Sequence, residues 1–535
     1  MELPATDHVP AQRPSASAWL FPIFLLVAGF LVRLGWACWG FLNPDEAAHY
    51  LLSVQPSLKL AYQASLTTAH PPLLILLLHV WQIVGHSEII LRLPSVLAGT
   101  AFCWAMFTWM SCVTDRRTTL IAFTLLLFSP QLISLSAEIR QYSVLLMFAA
   151  YSLLFLERAI GRASAFSLVG SFLSLYLAIL SHYSSFIFAL VMGVYGCLRL
   201  LSASARRSLW GWWVAGELGG VLLAVFLFAS HVSKLEDRNL PQEIADTWLR
   251  SSIYHRGEQN PLAFIVTATT RVFRFDFGNN VIGVVGLIMF LLGIFILIRD
   301  RNSAPGAYKP SARQLAALLL LPFVINCALA IIGRYPYGGT RHNALLIPFA
   351  VCAASVALSR WRTRSEWAKG LLVAIVLLIS NIFPSTAGAH IRPSNQARKQ
   401  MLQAVHEIEN RVPGGSVVFA DYQSGLLLSY YVCHDKVVQF IPPFDPYLKS
   451  PCGGVTVIST FPRIWIFQPE DFPSALEGAQ KAYRLSSDTK LWVFQAGWLV
   501  DDEPATRQVF KEHGCSAPRS FGANIFLCQL RAVGS

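Results

Sequence analysis

The sequence predicts a polytopic α-helical membrane protein carrying a C-terminal α/β domain outside the bilayer. Three observations predict it. Of the 535 residues 54% are hydrophobic and only 13% charged, against about 25% charged in an ordinary soluble chain. Apolar runs of about 20 residues, the length that crosses a hydrocarbon core of about 30 Å, recur from the N-terminus to about residue 388. Beyond residue 389 the composition becomes that of a soluble domain.

In chain order, residues 1–17 form a polar tail without a basic region, and the run Trp19–Leu42 lacks a small-residue cleavage site, so it reads as an uncleaved first span. About eleven spans are expected, centred near residues 30, 102, 126, 149, 173, 191, 221, 288, 323, 351 and 379. One alternating set of short loops is rich in base: Asp115–Arg117, Glu157–Arg162, Arg199–Arg207, Arg299–Arg313 and Arg360–Lys369. It holds about 15 Lys/Arg against about 3 in the other set (Arg140, Arg334, Arg341), a positive-inside bias. This places the N-terminus in the cytoplasm of an inner (plasma) membrane and the C-terminal domain outside it. The net charge of +12 is accounted for by these loops, which argues against a nucleic-acid partner.

The outer loop, about 43–93, is too long for a turn. Pro71-Pro72 suits a helix start, and Leu73–Val84 is short for a span, as an interfacial or re-entrant helix would be. A second outer loop, about 231–280, contains a segment with amphipathic spacing, Pro261–Phe277. Arg33, inside the first span, must face the bundle or reach for the surface. In residues 389–535, Asn395–Asn410 has helical spacing, while Ser416–Ala420, Leu491–Phe494 and Ile525–Leu530 read as strands; the Pro-rich run 442–446 is loop. Four cysteines fall there, Cys433, Cys452, Cys515 and Cys528. Three pairings are open to them, Cys515 with Cys528 as a hairpin staple being one, and so is a set of four buried free thiols.

Polar groups gather at the outer ends of spans. Asp45-Glu46 directly follows the first span, where a charge in lipid would cost about 2.5–3.5 kcal/mol. His70, Glu88, Arg92, Glu138, Arg140, Tyr142, His182, Tyr183, Arg334 and Arg341 lie at the same level. Carboxylate, guanidinium and imidazole at a headgroup surface suit a phosphate-bearing lipid, and a carboxylate can take a proton from a hydroxyl. Plainer readings stand beside these: Asp45 as a helix cap, Glu88 and Arg92 as an i,i+4 ion pair, Arg140 as an anchor at the membrane surface.

Asp45-Glu46, His70-Pro71-Pro72-Leu73, Ser87-Glu88 with Arg92-Leu93-Pro94-Ser95, and Glu138-x-Arg140-x-Tyr142 together resemble the polyprenyl-phosphate-dependent GT-C glycosyltransferases. The resemblance is to the branch of protein O-mannosyltransferases and the lipid A aminoarabinose transferase. It is sharpest over residues 33–200, extends more loosely to Arg341-His342 and Pro348, and leaves out the C-terminal domain. It implies a GT-C architecture and transfer of a sugar from a polyprenyl phosphate to an extracytoplasmic protein, glycolipid or envelope glycan by one inverting displacement. It implies Asp45 as base with Glu46 orienting it or binding the acceptor, His70, Arg140 and Arg341 on the donor phosphate, and Glu138, Tyr142, His182 and Tyr183 lining the pocket. It implies no cofactor, and the Asp-x-Asp pattern with which a related branch holds a divalent cation is absent from the first outer loop, so no metal is assigned. The rival classes are a lipid-linked sugar flippase, which would place its charges near the midplane in repeated halves, and a non-catalytic envelope scaffold.

Overall fold

The computed structural model describes residues 17–202, 208–236, 249–300, 309–361, 366–384, 398–434, 445–461, 464–486, 489–498, 503–522 and 525–530. The N-terminal tail up to residue 16, the loop charges Asp237, Arg238, Arg206 and Arg207, residues 301–308, 362–365 and 442–444, and the expected 388/389 domain boundary lie outside these.

Among the described residues sixteen α-helices of seven residues or more precede the C-terminal domain: α1 Ser17–Ala37, α2 Pro44–Ser53, α3 Leu58–Ser65, α4 Leu73–Trp81, α5 Glu88–Val113, α6 Arg116–Leu127, α7 Pro130–Ser136, α8 Tyr142–Arg162, α9 Ala165–Ser181, α10 Ser185–Ser202, α11 Leu209–Leu227, α12 Pro261–Asp276, α13 Asn280–Arg299, α14 Ala312–Ile331, α15 Ile347–Arg360 and α16 Glu366–Ile382. Every expected span centre falls on an apolar helix, but not every helix is a full span. Among the described residues eight are long and apolar enough to cross a membrane, or nine if α6 and α7, bent by 55°, count as one. The bend has a local cause: Pro130 cannot continue the α6 hydrogen-bond ladder, and Ser129 caps the new helix instead. The other two, α9 and Trp367–Ile382, are shorter.

Two arginines inside the bundle are held by buried acceptors. Arg33 is fully buried and donates to the Leu127 carbonyl at 2.7 Å and the Gly29 carbonyl at 3.1 Å. Two residues assigned above to base-rich loops, Glu157 and Arg199, lie instead inside α8 and α10 as a buried ion pair at 2.8 Å. Helices close where glycine permits it: a Cβ on Gly293 of α13 would collide with the Ala353 carbonyl of α15.

Helices α2, α3 and α4 pack on one another over the end of the bundle. Above them sits the C-terminal domain: α17 Arg398–Arg411, β1 Val417–Ala420, α18 Tyr422–Tyr431, β2 Tyr447–Cys452, β3 Val455–Thr460, α19 Asp471–Tyr483, β4 Leu491–Gln495, α20 Glu503–Glu512, β5 Cys515–Ser520 and β6 Phe526–Leu530. Its sheet has the order β2-β3-β1-β4-β6-β5, parallel across β3-β1-β4 and antiparallel outside. β1 is buried at every position, as a central parallel strand must be. The α17 and α18 side chains share one core with α2, α3 and α4, while α19 and α20 cover the opposite face. Cys433 pairs with Cys452 and Cys515 with Cys528. The domain is bolted to the bundle mouth by Tyr431, whose hydroxyl accepts from the Leu42 amide at 2.9 Å and donates to Glu88 at 2.6 Å.

Candidate active site

The site is built on the first turn of α2. Asn43 caps it and Pro44 starts it, and the Asn43 side chain and the Glu46 carboxylate satisfy one another's backbone amides in a capping box. That fixes Asp45 at the exposed side of the turn, its side chain 19% exposed. Arg140 comes from the tight turn after α7, where its amide donates to the Glu138 carbonyl at 2.8 Å. Arg341 opens a short 3-10 turn before α15. The glycines ahead of it permit a close approach, since a Cβ on Gly339 would lie 2.7 Å from the Arg271 carbonyl.

These segments meet at one oxygen. Asp45 Oδ2 accepts from Arg140 Nη2 at 2.8 Å and from Arg341 Nη2 at 2.7 Å. Burial raises the Asp45 pKa, but the two guanidiniums outweigh it and hold the carboxyl well below its ordinary range. Arg140 Nε and the Tyr142 hydroxyl are buried without a partner among the described residues, and the Arg140 guanidinium stands 5.9 Å from the Tyr142 ring centre. The pocket thus presents unspent donors next to its cations.

Imidazoles crowd beside this cluster. His70 stacks between His49, at 6.2 Å, and His182, at 5.4 Å, and His182 neighbours Tyr142 at 5.1 Å and His342 at 6.1 Å. Burial and the nearby cations keep these rings neutral: His49 is lowered to about 4 and His182 to about 3, and His70 falls well below its usual value. His182 Nδ1 accepts from the Ser184 amide at 3.1 Å, which leaves Nε2 as the protonated nitrogen. Glu138 moves the other way. Burial and then the Glu46 charge raise it to about 7 despite Arg341 and Arg140.

Not every residue singled out in the sequence belongs to this pocket. Glu46 is buried and fully engaged: it takes Arg92 through Nε and Nη2, both at 2.7 Å, and the amides of Asn43 and Ile139, both at 2.9 Å. Arg92 spends its other donors on the carbonyls of Ala37, Gly40 and Phe41 at 2.7–2.9 Å. Glu46 therefore holds α1, α2, α5 and the Arg140 turn together and has no lone pair left for a substrate. The expected Glu88–Arg92 pairing along one helix gives way to this clamp, and Glu88 faces Tyr431 and Arg398 instead. Tyr183 turns aside from His182: its hydroxyl donates to His231 Nδ1 at 2.5 Å, and His231 Nε2 donates to the Thr68 carbonyl at 2.7 Å. It steadies the strand of chain leading to His70. His49 and His342 were not singled out as pocket residues. The one signal for His49 is its i+4 spacing from Asp45, which sets both on one helix face.

A family model described as dolichyl-phosphate-mannose-protein mannosyltransferase matches residues 69–233. The crystal structure of ArnT from Cupriavidus metallidurans bound to undecaprenyl phosphate superposes with a TM-score of 0.55 at 13% identity, covering 97% of this chain and 99% of that one. Its apo form gives 0.52 at 12% identity, covering 96% and 98%. The chain has the GT-C glycosyltransferase fold. No curated protein matches it significantly in sequence. In this GT-C fold the match over 69–233 runs from the His70 loop through Arg140 to His182, so it spans three of the segments that line the pocket.

Proposed function

We propose that the chain is a membrane glycosyltransferase that takes a monosaccharide from a polyprenyl phosphate and gives it to an acceptor hydroxyl outside the cytoplasm. The reading rests above all on one observation: a single carboxylate is held by two arginines that lie 296 positions apart from it at the furthest, with spare buried donors beside them. Two guanidiniums, a phenol and neutral imidazoles form an anion-binding pocket at the end of a helical bundle. A lipid phosphate is the anion that a membrane presents there. The matched relatives' names point the same way. The base-rich loops support a cytoplasmic N-terminus, which would put Asp45 and the C-terminal domain outside.

In this reading Asp45 removes the proton of the acceptor hydroxyl while its oxygen attacks the anomeric carbon. The bond from that carbon to the phosphate oxygen breaks, and the lipid phosphate leaves as an anion stabilised by Arg140 and Arg341. His70 and the Tyr142 hydroxyl hold its remaining oxygens, and His182 with Glu138 lines the sugar. Without donor, Asp45 is a weak base because both arginines face it. A bound phosphate competes for those arginines, so the carboxylate regains proton affinity when the donor is in place. Glu46 orients Asp45 through the turn they share. The test is to supply undecaprenyl-phosphate sugars to the purified protein and measure released undecaprenyl phosphate; no release from any sugar lipid overturns the proposal.

A further inference from the structure

Arg341 reaches Asp45 from a turn with little stiffness of its own. Gly338 and Gly339 stand just ahead of it, and glycine leaves a backbone free to move. Ties from neighbouring segments make up for this. The Tyr337 amide donates to the Ser252 carbonyl at 2.7 Å, and the Tyr337 hydroxyl lies 3.1 Å from Thr269 Oγ1. Both act ahead of the glycines. Beyond them, Asn343 Nδ2 donates back to the Gly338 carbonyl at 2.8 Å. The Asn343 amide donates to the Thr340 carbonyl at 3.0 Å, and the Tyr335 hydroxyl to the His342 carbonyl at 3.1 Å. These bonds close the loop around Arg341 on itself.

A side chain from a spanning helix holds the closed loop to the bundle. α14 is long and apolar enough to cross a membrane, yet it carries Asn326, buried and about 8 Å from the helix's C-terminal end by the rise per residue. A buried amide in such a helix is costly unless it is bonded. Asn326 Nδ2 donates to Asn343 Oδ1. The direction is forced. A carbonyl only accepts, so Asn343 must turn its NH2 to Gly338 and its oxygen to Asn326, and Asn326 must answer with its own NH2. Asn326 Oδ1 then has no partner among the described residues. The position therefore serves a donor, and that donor reaches the segment carrying Arg341. Apolar packing alone would be met by leucine, which has nearly the same length and branching and no polar atom to satisfy.

We infer that Asn326 is a positioning residue for Arg341: through Asn343 it sets where the guanidinium stands between Asp45 and the donor phosphate. This rests on the glycosyl-transfer reading and adds to it a residue that touches no substrate. The test is a double-mutant cycle on the full-length protein in detergent, read as equilibrium binding of undecaprenyl phosphate. Asn326→Leu is expected to weaken binding about tenfold. The loss is expected to persist in a His70→Ala background and to shrink to about twofold or less in an Arg341→Ala background. A substitution that merely loosened the fold would weaken binding in both. The inference is overturned if Asn326→Leu binds as the unaltered protein does, or if its effect survives Arg341→Ala. Should Asn326→Leu not fold, Asn326→Ser, too short to reach Asn343, takes its place in the cycle with the same outcomes. Amide exchange is followed in parallel. Faster exchange across residues 338–346 with β1 unaffected is expected, and unchanged exchange there overturns the inference. Should the unaltered protein bind no undecaprenyl phosphate, the transferase reading fails and amide exchange alone decides this one.

Discussion

Asp45→Asn separates the two tasks assigned to the pocket. The change is nearly isosteric and leaves α2 intact, because the capping box runs through Asn43 and Glu46. Removing a general base costs about 10²–10⁴ in rate, roughly 2.7–5.4 kcal/mol of barrier, and turnover is expected to fall by that much. Donor affinity is expected to move the other way. In the unaltered protein a phosphate must draw Arg140 and Arg341 from Asp45 Oδ2, where they sit at 2.8 and 2.7 Å. Hydrogen bonds between charged groups are worth about 1.5–3 kcal/mol net. Sparing even one of them tightens binding of undecaprenyl phosphate about tenfold or more. Turnover is read from released lipid phosphate, and affinity from equilibrium binding of the lipid. Turnover within about threefold of the unaltered protein would refute the assignment of the base. Loss of donor affinity alongside turnover would mean that Asp45 serves to hold the arginines in place.

Glu46→Gln strands the buried Arg92 charge and is expected to cost about 3–5 kcal/mol, seen as a lowered thermal midpoint with or without donor. Glu138, raised to about 7, binds a proton in the folded state that the unfolded state has released above about 4.3. Its part of the stability therefore falls as pH rises from about 4.3 to about 7. The lowered His49 and His182 act oppositely, costing stability as pH drops below about 6.5, so the difference between unaltered protein and Glu138→Gln across pH 4.5–8 isolates the carboxyl. Tyr431→Phe removes the hydroxyl shared by Leu42 and Glu88 and is expected to loosen the C-terminal domain by about 1–3 kcal/mol, read as faster amide exchange in α18 and α2.

The bundle was legible because apolar length is a local property of the sequence, and each expected centre fell on an apolar helix. The number of full crossings was not, because the break at Ser129-Pro130 and the shortness of α9 depend on how the chain bends. Asp45, Arg140 and Arg341 could be brought together in advance, since charges at one membrane level have few places to go. The division of labour between Asp45 and Glu46 could not. The two are adjacent and chemically alike, and only the three-dimensional positions of their arginines turn one into a buried clamp on Arg92 and set the other in the pocket between Arg140 and Arg341. His49 and His342 escaped notice for a related reason: a single imidazole in an apolar stretch carries no mark of the rings it will stack beside. In the C-terminal domain β1, β4 and β6 were visible as apolar runs. The half-exposed β2 and β5, lying at the sheet's edges, carry no such pattern.

The meeting of Asp45 with Arg341 also bears on biosynthesis. The acid is laid down early, at the exit of the first crossing, and its second cation enters the membrane only with α15. Throughout translation of everything between, the nascent chain carries a carboxylate with at most one of its two counterions. A single helix inserted in the wrong orientation upstream of Arg341 would deliver that arginine to the opposite leaflet. Turnover therefore doubles as a report on correct insertion, because no partially threaded intermediate can assemble the pair.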